Sequence, residues 1–128
     1  MKIVFKTLLL WLACIGFVSA KPNLGGFKPE QVCQAAIASL QGVDLKKVDN
    51  YRSDQPLMQM RVRHNGQSTS FYCQLEGDQA LWRRAQDSRW QTTTTVRFHY
   101  NNSGKQLIIK HYLAAAQLAE YRYRGEDF

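Results

Sequence analysis

Three cysteines, three histidines, ten carboxylates and seventeen cationic side chains are the groups of this 128-residue chain that could do chemistry. Cys33 and Cys73 form no C-x-x-C pair, and both fall at positions expected to face a core. They read as a structural disulfide rather than a redox couple. In the chain-entropy picture a loop of this length contributes about 4 kcal/mol, a large share of what a small domain has. His64, His99 and His111 would suggest a metal site or proton shuttle if they converged. The expected hairpin around 101–104 sets His99 opposite Gln106 and His111 opposite Thr94, about 17 Å apart at strand rise, so no metal is expected. Asp44, Asp49, Asp54, Glu76, Asp78, Asp87, Glu120, Glu126 and Asp127 fall mostly in turns, loops or the tail. No two share a strand face as an acid/base pair requires. The serines lack a nucleophile elbow, and Gly25-Gly26 does not join a strand to a helix, so it is no phosphate cradle. The expectation is a non-enzymatic protein without cofactor, a hydrolase lacking any recognisable motif being the remaining enzymatic option.

The arginines carry more information. Alternation assigns Gln59, Arg61, Arg63, Tyr72, Arg83, Arg97, His99 and Lys110 to one outward sheet face, with Tyr72 opposite Arg83 and beside Gln59. Interleaved guanidinium and aromatic surfaces could bind phosphate, carboxylate or sugar-linked anions by forked contacts and stacking. An ordinary solvated sheet face would also be polar. Trp90, in the polar connection 86–91, either folds back over the sheet end or marks a contact surface. Arg61, Arg63, Tyr72, Arg83, Arg97 and Trp90 are therefore the candidate binding surface.

These residues need a scaffold, and the pattern supplies one. Pro29 and Glu30 suit a helix start, Cys33, Ala36, Ile37 and Leu40 form one apolar stripe, and Gly42 stops the run. Beyond Lys47 the period becomes two. Asn65-Gly66 is a strong hairpin turn that pairs Val62 with Thr69, Met60 with Phe71 and Met58 with Cys73. Gly77-Asp78 sets Leu75 beside Ala80 and Cys73 beside Trp82, a residue expected in the core. A third hairpin with loop 101–104 places Val96, Phe98 and Tyr100 against Ile109, Leu107 and Lys105. Tyr51 and Arg52 can begin a further short strand, limited by Pro56. The alanine-rich stretch 113–121 reads as a short helix, while Tyr121-Arg122-Tyr123-Arg124 alternates like a strand. The fold class is α+β: one N-terminal helix packed on a curved antiparallel meander of about five strands, with a short C-terminal helix as an option. The order of elements resembles the cystatin architecture. That family's Q-x-V-x-G hairpin is absent, the first turn reading Arg63-His64-Asn65-Gly66-Gln67, and no Pro-Trp occurs in a later loop. No function is carried over.

Residues 1–20 have a basic start with Lys2 and Lys6, an apolar centre and small residues at Ser19 and Ala20, the pattern of a signal peptide cleaved between Ala20 and Lys21. Lipidation at Cys14 would need a better lipobox than Trp11-Leu12-Ala13. The mature domain is then 21–128, a single domain, in a periplasmic or secreted location where a disulfide persists. The leader holds two of the 17 basic residues and none of the 10 acidic ones, so the net charge falls from +7 to +5. That is too weak for a dedicated nucleic-acid binder. The expected partner is a protein or anionic envelope component, bound through the basic face, with no metal and no membrane span after cleavage. The alternative is a protein inhibitor or assembly factor acting through loop tips.

Overall fold

The computed structural model describes residues 24–53 and 56–128. The leader, Cys14 and the Ala20/Lys21 junction lie outside the described residues. Helix α1 runs Pro29–Gln41. Its start is fastened where Lys28 N–H donates to the Gln31 side chain at 2.8 Å. Its end is set by Gly42 at φ 66°, with Val43 N–H donating to the Ala38 carbonyl at 3.1 Å. This is the left-handed cap that glycine adopts without a Cβ clash.

Seven strands follow: β1 (Val48–Arg52), β2 (Leu57–His64), β3 (Gln67–Glu76), β4 (Gln79–Arg84), β5 (Thr95–Asn101), β6 (Gln106–Leu113) and β7 (Ala116–Arg124). They form one antiparallel sheet in sequential order. The sheet exceeds the expected five strands at both margins. Residues 48–52 form a full edge strand before Pro56, and the tail is a strand rather than a helix. Alanine favours helix, yet here pairing along β6 decides: Ile109 faces Tyr121 and Leu107 faces Tyr123, packing both half-buried rings against the core.

The first two hairpins have the expected registers, Met58 facing Cys73 and Cys73 facing Trp82. The third is displaced by two residues, with Val96 facing His111, Phe98 facing Ile109 and Tyr100 facing Leu107. Asn101 stays in the strand because its side chain accepts from Ser103 N–H and Gly104 N–H, and Lys105 turns the corner at φ 51°. An even displacement leaves every side chain on its expected face.

Helix α1 is more enclosed than a single stripe implies. Val32, Cys33, Ala35, Ala36, Ile37 and Ala38 are all fully buried, and Ser39 is nearly so. Small side chains let the sheet come close on several sides, and α1 touches β1, β2, β3, β4 and β6. In a flat seven-stranded sheet the edges would stand about 29 Å apart. Here Val48 and Asp49 line one cleft together with Asp127 and Phe128, just beyond β7. The sheet therefore curls around α1 and brings its two margins near one another. Both margins carry bulges, at Asn50/Arg52 and opposite His111/Tyr112, which blunt them against pairing with other chains.

The Cys33–Cys73 disulfide, with Cα atoms 5.9 Å apart, staples α1 to β3. Phe27 packs edge-on against Tyr100 and Phe128 and closes the far end of the core. Gly25, at φ 57°, lies under the Tyr100 ring, where a Cβ would come within 2.3 Å.

Candidate functional site

On the outer face Tyr72 of β3 lies between Gln59 and Arg83 of its two neighbours. The Arg83 guanidinium sits 4.6 Å from the Tyr72 ring centre and 5.2 Å from that of Trp90. Its Nη1 donates to the Asp87 carbonyl. The connection between β4 and β5 is held against the sheet: Gln91 N–H donates to the Trp82 carbonyl at 2.8 Å and Ala85 N–H to the Ser70 carbonyl at 2.9 Å. Trp90 thus folds back onto the sheet as half-buried support for Arg83. Arg61 makes a similar contact, 4.0 Å above the Tyr51 ring on β1. Tyr51 was not among the sequence candidates; its spacing of two from Asp49 is the signal that places it on the same face.

The other two arginines are neutralised. Arg63 donates to Asp49 at 2.8 Å and to the Lys46 carbonyl at 2.9 Å. Arg97 donates to Asp78 at 2.7 Å. Exposed pairs such as these add little stability, but each carboxylate cancels the local charge. Among the described residues neither Arg61 nor Arg83 has a carboxylate partner. Of the four arginines of the candidate surface, the two without a carboxylate are thus the two beside rings, about 12 Å apart across two strand spacings and two residues.

The inner face holds a polar pair that the sequence did not reveal. Ser39 Oγ lies 2.8 Å from His111 Nε2 and 2.8 Å from the Ala36 carbonyl. The hydroxyl has one proton, which it gives to Ala36, so Nε2–H donates to Ser39. Burial holds the imidazole below its ordinary 6.5, and its ring packs 5.1 Å from Tyr121. Such a pair resembles a nucleophile and base only in composition. His111 donates rather than accepts, no carboxylate orients it among the described residues, and the C-terminal end of α1 offers carbonyls where an oxyanion would need N–H donors. The pair is a polar tie between helix and sheet. His99 faces Ile108 on the opposite side, three residue pairs from His111.

Beside Ser39 an open groove of about 610 Å³ runs between the end of α1, the 3₁₀ turn Leu45–Lys47 and β7. Asp44, Lys46, Tyr121 and Tyr123 line it. Burial, with Tyr121 and Asp127 adding to it, pushes the Tyr123 phenol up to about 12. Among the described residues no group of three His, Cys, Asp or Glu side chains could hold a metal ion, and no helix is long and apolar enough to cross a membrane. Compared with protein-family models, with curated proteins and with solved structures, the chain matches none.

Proposed function

We propose that this is an exported, non-enzymatic binding module of the periplasm or extracellular space that holds an anionic partner on its outer sheet face. The observation that carries the reading is the positioning of Arg83 between Tyr72 and Trp90, with Arg61 over Tyr51 as a second anchor. A guanidinium stacked on a ring can still donate from its edge: Arg83 gives Nη1 to the Asp87 carbonyl and has Nε and Nη2 left for phosphate, sulfate or carboxylate. It has already lost part of the side-chain freedom that binding would otherwise remove. Export rests on the leader sequence, and a disulfide suits an oxidising compartment.

The test compares two equal reductions in charge. Arg61→Gln with Arg83→Gln should abolish retention on a sulfated-polysaccharide column and capture of envelope partners. Arg63→Gln with Arg97→Gln should leave most of both, because those charges are already paired. Equal losses from the two variants would reduce the interaction to net charge and reject the site.

A second reading, an inhibitor or assembly factor acting through loop tips, is favoured by the β6–β7 hairpin, whose tip exposes Leu113 at 48% and Leu118 at 57%. Leu113→Ser with Leu118→Ser would remove partner capture under this reading and leave it intact under the first.

A further inference from the structure

We infer that the groove between α1 and β7 binds a neutral oligosaccharide, at a site separate from the outer arginines. Its volume of about 610 Å³ falls in the range of small-molecule sites. Its polar groups are uncommitted: among the described residues the Asp44 carboxylate, the Lys46 ammonium and the hydroxyls of Tyr121 and Tyr123 have no hydrogen-bond or ion-pair partner. By contrast Arg122 is taken by Glu120 at 2.6 Å, and Asp127 accepts from Arg124 N–H at 2.7 Å.

The free groups are one anion, one cation and two phenols. A ligand of net charge would be attracted by one of the ions and repelled by the other. A hydroxyl both donates and accepts, so it can use all four. The Tyr123 phenol, its ionisation opposed by burial, remains a neutral donor throughout the physiological range.

Tyr121 and Tyr123 also offer ring surface. They stand two residues apart on one face of β7, about 7 Å along the strand. Tyr121 packs against His111, and Tyr123 packs 6.3 Å from Phe128, so both rings are braced by aromatic neighbours. A pyranose presents C–H groups on its faces and hydroxyls around its edge, the complement of braced rings beside scattered donors and acceptors. An added peptide strand fits less well, because β7 has a bulge and exposed Glu120, Arg122 and Arg124 along its length.

The test is an amide-shift titration of isotope-labelled protein with chitotriose, cellotriose and maltotriose at millimolar concentration, with trialanine as the zwitterionic control. At least one sugar should shift the amides of Lys46, Tyr121 and Tyr123 to saturation. Asp44→Ala with Lys46→Ala, both exposed positions, should weaken that sugar about tenfold. Arg61→Gln with Arg83→Gln should leave it unchanged, separating this site from the outer face. The inference is overturned if none of the three sugars shifts the groove, if the shifts survive the Asp44/Lys46 variant undiminished, or if trialanine produces equal shifts there.

Discussion

Ser39 on α1 and His111 on β6 are joined by a 2.8 Å hydrogen bond inside the core, although 72 residues separate them in the chain. Burial disfavours the imidazolium, so the folded chain protonates His111 only below its ordinary 6.5. Between those two values the unfolded chain binds more protons, and stability rises with pH. Urea unfolding should therefore show the full contribution above about pH 6.5 and a progressive loss as pH falls through the window beneath it. His111→Gln should flatten that part of the profile. An unchanged slope would assign the pH dependence to other groups.

Ser39→Ala leaves His111 Nε2–H without its acceptor in the core. The expected loss is about 1–3 kcal/mol, the penalty for a buried unsatisfied donor. It is read from the shift in denaturation midpoint at pH 8. A value near zero would mean that water replaces the hydroxyl.

Cys33→Ala with Cys73→Ala should cost about 2–5 kcal/mol, since α1 then loses its covalent link to β3. Denaturation of the native protein with and without a reducing agent gives an independent value. Agreement between the two measurements would assign the loss to the bond itself rather than to repacking around alanine.

Ala114 stands at φ 57° in the β6–β7 turn, a left-handed conformation that favours glycine. Ala114→Gly should stabilise the fold by about 1 kcal/mol through relief of the Cβ clash, less whatever glycine adds to unfolded-chain freedom. A rise in melting temperature checks it.

Arg83→Lys keeps the charge but loses the planar fork that stacks on Tyr72 and Trp90 while donating to the Asp87 carbonyl. The connection between β4 and β5 should loosen. Hydrogen exchange at the Gln91 amide, bonded to the Trp82 carbonyl, should accelerate while the Phe71 amide on β3 stays protected.

Much of the scaffold is legible in the sequence. Pro29 and Gly42 bound the helix, Asn65-Gly66 and Gly77-Asp78 set two hairpin registers, and period-two alternation assigns both faces of the sheet. These follow from caps, turn geometry and side-chain direction, which act over a few residues. The third hairpin slipped because a four-residue loop admits more than one register. There the choice falls to Asn101 capping its own turn and to Ile109 filling the space between Phe98 and Tyr121. The tail became a strand because an open edge of β6 outweighed alanine's preference for helix.

The sequence by itself determined the α+β class, the partnership of Cys33 with Cys73, and the gathering of arginines on one outward face. Only the tertiary structure decided which arginines keep their charge: Asp49, 14 residues before Arg63, and Asp78, 19 before Arg97, cancel two of four. It also decided that Ser39 meets His111 and that α1 and β7 enclose a groove. Local periodicity states which way a side chain points. What it meets there depends on how far the sheet curls around α1, and that is set by the packing of the whole core, in which small alanines let the strands close in.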